Sequence, residues 1–88
     1  MKIKGEYILR DIAGEIVAVP VGETVLKSNI LAVLNGSGRF FWELLSEEHT
    51  EEEIISAVCE EYEADPEAVR KDLYDFIDYL KKNKVEVE

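Results

Sequence analysis

The 88-residue sequence predicts an α+β domain in which strands come first and helices follow. Three observations predict it. The first third holds short β-branched runs closed by Gly and Pro. The remainder holds three apolar stripes at helical spacing. The two regimes meet abruptly at Leu34-Asn35-Gly36-Ser37-Gly38-Arg39-Phe40-Phe41-Trp42, where a strand-like run stops at a small-residue turn and an aromatic helix begins. The element order is βββααα.

The first strand is expected over residues 6–10, ending in an Ala13-Gly14 turn, and the second over 15–20, closed by Pro20 and Gly22. The two runs are close enough for a hairpin. Pro20 has no N–H to give a ladder, so it belongs at a strand end or on an edge. A third strand is expected over residues 28–34. The first helix, over 37–45, carries Phe40, Phe41, Leu44 and Leu45 at helical spacing with Ser37 as N-cap. The second begins at Thr50, and Glu53 three residues on completes a capping box. Its stripe is Ile54, Ile55, Val58, Cys59 and Tyr62. In the third, Asp65 caps and Pro66 takes the first helical position, where a missing N–H costs nothing. Val69, Leu73, Phe76, Ile77 and Leu80 form its apolar face as far as about Lys82, and Lys81, Lys82 and Lys84 suit a helix C-terminus. The tail 85–88 alternates and reads either as a short extra strand or as a frayed end.

No repeat, low-complexity segment or linker divides the chain, so residues 1–88 are read as a single domain. The formal charge is −10, which disfavours nucleic acid and anionic membrane surfaces and favours cationic partners. With one cysteine no internal disulfide is possible, and neither an 18-residue apolar run nor a signal-peptide core is present. The expected setting is the cytoplasm.

Nothing in the sequence assembles catalytic chemistry. A nucleophile needs a base held beside it, yet His49 lies in a polar loop and Cys59 on an apolar helical stripe. His49 is read as a solvated loop residue and Cys59 as a small core residue. Zinc-ligand spacing and phosphate-binding glycine loops are missing, so no metal or cofactor is expected. Residues 47–67 hold ten Asp or Glu and no Lys or Arg, which makes a solvated acidic face or an attractive field for a basic partner segment. Trp42 is expected to be buried. On the last helix, Asp72, Tyr79 and Asn83 fall on one shoulder of the apolar stripe, and Arg70, Tyr74 and Lys81 on the other.

Read in order, Leu34-Asn35-Gly36-Ser37-Gly38, Phe41-Trp42-Glu43-Leu44-Leu45, Thr50-Glu51-Glu52-Glu53-Ile54, Tyr62, and Val69-Arg70-Lys71-Asp72-Leu73 with Phe76 and Leu80 resemble the PqqD-like family of peptide-recognition domains, also called RiPP recognition elements. Phe41 stands where Ile is usual, and the turn reads Gly-Ser-Gly where Thr is common. The resemblance implies a winged-helix-like fold, with a three-stranded antiparallel sheet followed by three helices. It also implies a non-catalytic role: capture of the leader of a ribosomally made precursor peptide by strand addition, and delivery to a modifying enzyme (a radical SAM protein, a cyclase or a protease). In relatives the leader adds beside the third strand and rests against the third helix. That places the expected peptide site on Asn29, Ile30, Leu31, Ala32, Val33 and Leu34, with Asp72, Phe76 and Tyr79 from the last helix. Two other roles compete. A winged-helix nucleic-acid regulator would need a basic recognition face that this charge balance does not supply, and a structural subunit would bind an enzyme and ignore the peptide.

Overall fold

A computed structural model describes residues 1–27, 32–34 and 36–88. The element order is β1 (Ile3–Lys4), β2 (Tyr7–Ile12), β3 (Glu15–Pro20), α1 (Thr24–Lys27), β4 (Ala32–Leu34), α2 (Ser37–Leu45), α3 (Glu51–Tyr62), α4 (Pro66–Lys82) and β5 (Glu86–Val87). The expected α+β class holds. β2, β3 and β4 form a three-stranded antiparallel sheet in that order, and the three long helices follow it.

The β2–β3 hairpin closes through Ala13 and Gly14, both at positive φ (54° and 86°), as a two-residue turn matched to strand twist requires. The Asp11 carboxylate accepts the Gly14 N–H at 3.0 Å and holds the turn shut. Pro20 ends β3, opposite Tyr7. β4 pairs with β3 through Ile16↔Leu34, Val17↔Val33 and Ala18↔Ala32. Of the strand expected over 28–34, residues 32–34 are observed; residues 28–31 lie outside the described residues.

At the strand-to-helix junction the expected cap is corrected. Gly36, not Ser37, is the N-cap of α2, and no side chain caps the helix. Gly36 sits at φ 52°, ψ −128°, a conformation open in practice only to glycine, so the turn is made by backbone freedom and Ser37 already lies within the helix. The capping box of α3 forms as expected: Glu53 N–H donates to Thr50 Oγ1 at 3.2 Å, and Thr50 N–H donates to Glu53 Oε1 at 2.8 Å. Asp65 occupies the N-cap position of α4 without a side-chain cap bond, and Pro66 opens the helix.

Beyond α4 the tail is a strand. Lys84 enters the left-handed region (φ 64°), Val85 N–H donates to Leu80 C=O at 2.8 Å and Lys84 N–H to Lys81 C=O at 3.1 Å, a paired helix-ending motif that folds the chain back. Val85 is thereby buried beside Leu80, and β5 pairs antiparallel with β1 through Ile3↔Val87 and Lys4↔Glu86. Sequence reading did not anticipate β1 or α1; each is too short to show a period.

The core joins the inner face of the sheet to the helices. Ala18, Ala32 and Leu34 meet Phe41, Trp42 and Leu45 of α2, Ile54, Ile55 and Val58 of α3, and Val69, Leu73, Ile77 and Leu80 of α4. Trp42 is buried and meets Tyr7 edge-on at 5.3 Å between ring centroids. Cys59 is half-buried against the core. Tyr62 leaves the stripe it was assigned to: it is exposed, with its ring edge-on to Phe40 at 5.7 Å. His49 is likewise not a free loop residue. Its Nδ1 lies 2.7 Å from the Leu44 carbonyl at the C-terminus of α2, and as a donor there it adds to the long 3.4 Å bond that this carbonyl accepts from the Glu47 N–H.

Candidate functional site

The two shoulders of α4 face different neighbours. On one side Arg70 and Tyr74 reach α3: Arg70 bonds Glu51 and, at 3.0 Å, Glu52, while the Tyr74 hydroxyl donates to Glu51 at 2.5 Å. The Glu51 carboxylate, by accepting that bond, holds the Tyr74 phenol pKa above its ordinary value. Part of the acidic interval is therefore clamped by a base just outside it, and Arg70 and Tyr74 are structural straps between helices.

On the other side α4 and β4 enclose a groove of about 430 Å³. Val33 and Leu34 form one wall, and Asp72, Asp75, Phe76 and Tyr79 of α4 the other; Ser37, Gly38 and Phe41 of α2 lie at its base. The floor is aromatic. Phe41 stacks on Phe76 at 5.6 Å between centroids, and Tyr79 continues the row at 6.4 Å from Phe76. Gly38 lets this floor form close to the helix, because a Cβ there would stand 3.3 Å from the Phe76 ring. The two aspartates make one wall acidic, and among the described residues Asp75 is tied only to the exposed Lys71, at 3.4 Å.

The wall formed by β4 is a sheet edge. β3 lies on one side of it, and among the described residues no strand pairs with the other. Neighbouring residues of an antiparallel strand aim their backbone groups alternately toward and away from the partner. Val33 is the outward-facing residue: its N–H and C=O both meet the Tyr79 hydroxyl, at 3.1 and 2.8 Å.

Of the nine residues singled out from the sequence, the structure brings Val33, Leu34, Asp72, Phe76 and Tyr79 to one groove. Ala32 lies in β4 but is buried against the core, since alternate residues of the strand face inward. Asn29, Ile30 and Leu31 lie outside the described residues. Sequence reasoning missed Phe41, Gly38 and Asp75 as groove residues. Periodicity marks Phe41 as core, and Asp75, three residues from Asp72, carries the only signal available, the i,i+3 spacing that puts both on one helix face. Among the described residues no group of His, Cys, Asp and Glu is placed to hold a metal ion, and no helix is long and apolar enough to cross a membrane.

The fold and groove define a small α+β domain with a sheet edge, covered by no strand among the described residues, beside an amphipathic helix, an arrangement suited to binding an extended peptide as an added strand. The chain belongs to the PqqD family: the family model described as coenzyme PQQ synthesis protein D matches residues 6–85. Among solved structures it is similar to TbiB1 in complex with the TbiA(beta) leader peptide, at 31% identity and a TM-score of 0.72, over 98% of this chain and 95% of that one. No curated protein matches.

Proposed function

We propose that this chain is a non-catalytic recognition module that binds the leader of a ribosomally made precursor peptide and hands the peptide to a modifying enzyme. The observation that carries the reading is the β4 edge at Val33, which no strand covers among the described residues, set against the aromatic groove of α4, in a chain 31% identical to TbiB1, which was solved with a leader peptide bound. The leader lies in the groove as an extended fourth strand beside β4. Backbone bonds to the edge set the register of the guest strand, and side chains seated over Phe41 and Phe76 supply affinity and selection. Asp72 and Asp75 favour a leader carrying Lys or Arg at the α4 wall, in keeping with the overall charge of −10.

The site residues in this reading are Ala32, Val33 and Leu34 of the strand, with Val33 presenting its backbone groups to the guest and Ala32 and Leu34 holding it from either side through their pairing with β3, and Asp72, Phe76 and Tyr79 of the helix. The partner enzyme is a radical SAM protein, a cyclase or a protease, and the setting is cytoplasmic, where a lone thiol such as Cys59 stays reduced. The reading is tested by calorimetric titration with the synthetic leader of the precursor encoded beside this gene, and with the TbiA(beta) leader. Saturable one-to-one binding of either peptide is expected. No heat and no saturation with both would overturn it.

A further inference from the structure

We propose that Tyr79 is a latch on the sheet edge: its hydroxyl occupies the outward backbone groups of Val33, and a guest strand joins β4 by taking those groups from it. The inference rests on the leader-recognition reading above.

The Tyr79 hydroxyl donates to the Val33 carbonyl at 2.8 Å and accepts from the Val33 amide at 3.1 Å. A phenol is among the few side-chain groups able to do both at once, and with both made it supplies what one residue of an adjoining strand would supply. An edge residue satisfied in this way no longer invites pairing. The latch also has the means to open. Tyr79 keeps 37% of its surface exposed, and its ring is only tilted against Phe76, whereas Phe76 itself is stacked on Phe41. Release of the phenol therefore leaves the Phe41–Phe76 stack of the floor intact and asks for a side-chain movement, not a rearrangement of strand or helix.

The consequence is selectivity. A chain offering only backbone hydrogen bonds, including the edge of a second copy, meets an edge already bonded and gains little by exchange. A chain that also fills the aromatic groove gains contacts the latch does not make. Tyr79 thus raises the requirement for side-chain recognition, discriminating against generic extended segments.

Tyr79→Phe keeps the ring and removes the hydroxyl. Thermal unfolding first establishes that the variant is folded. In the free protein, hydrogen exchange at the Val33 amide is then compared between wild type and variant, and both are titrated with the two leader peptides. The latch predicts faster Val33 exchange in the variant and leader affinity raised by roughly three- to thirtyfold, the range expected when one or two competing neutral hydrogen bonds are removed. Unchanged Val33 exchange would overturn the proposal, as would leader binding that is equal or weaker in the variant. Faster exchange with no binding by either protein would mark failure of the recognition reading while upholding the latch itself.

Discussion

Two tyrosines five residues apart on α4 make the same kind of bond to different ends. Tyr74 donates its hydroxyl to the Glu51 side chain, joining helix to helix alongside Arg70. Tyr79 gives and accepts at the backbone of Val33, joining helix to sheet edge. Both stand partly exposed, at 47% and 37%, so burial does not separate them. The partner does. The Glu51 carboxylate on the neighbouring helix is held from two sides, by Tyr74 and by Arg70, and makes a fixed strap, whereas an edge amide and carbonyl are groups that another chain can claim. One shoulder of α4 is therefore architecture and the other is the proposed site.

The sharpest way to break this contrast is Val33→Pro. The Val33 N–H points away from β3, so proline removes no bond of the native ladder, and proline is tolerated on edge strands in that orientation. Proline also removes the Val33 N–H bond to the Tyr79 hydroxyl, so the unfolding midpoint should fall by no more than one exposed hydrogen bond is worth. Leader affinity should fall by about tenfold, because a guest carbonyl is left without its donor. Equal affinity would place the peptide elsewhere. On the opposite shoulder, Glu51→Ala takes the acceptor from Tyr74 and one carboxylate from Arg70, and should lower stability by about 1–2 kcal/mol, measured by urea unfolding, with leader affinity unchanged. A matching loss of affinity would mean that the two shoulders are coupled.

A smaller effect belongs to pH. The Thr50 N–H and side chain bonded at Glu53 hold its carboxyl pKa below the ordinary value of 4.5. A carboxyl with its pKa depressed on folding contributes stability above its unfolded-state pKa and loses it as pH falls through the folded one. Urea midpoints of wild type should therefore drop as pH is lowered below about 4.5, and Glu53→Gln, which keeps an amide oxygen to accept the Thr50 N–H, should flatten that part of the profile. An unchanged slope in the variant would assign the acid sensitivity to other carboxylates.

Much of this was legible in the residues. The hairpin showed in its Gly and Pro punctuation and its β-branched runs, the helices showed in the Thr50–Glu53 capping box and the Val69, Leu73, Ile77, Leu80 stripe, and the two shoulders of α4 followed from a 100° step. What escaped was set by tertiary contact. Gly36 displaces Ser37 as cap because a backbone conformation, not a hydroxyl, makes that turn. His49 is held by a helix-end carbonyl and β1 by β5, pairings between segments that no local pattern announces. Phe41 reads as core from periodicity alone; only the approach of α4 over Gly38 makes it a groove floor as well. The bond between Tyr79 and Val33 joins residues 46 apart and has no sequence signal.

The most direct test of the central claim, that the β4 edge beside α4 receives a peptide strand, is amide chemical-shift mapping of the isotopically labelled protein during titration with its leader peptide. Saturable shifts are expected, centred on Val33 and Leu34 and on the Asp72-to-Tyr79 face of α4, with the Arg70 and Tyr74 face undisturbed. Saturable shifts that spare Val33 and gather on α3 or on the β1–β5 pair would contradict it.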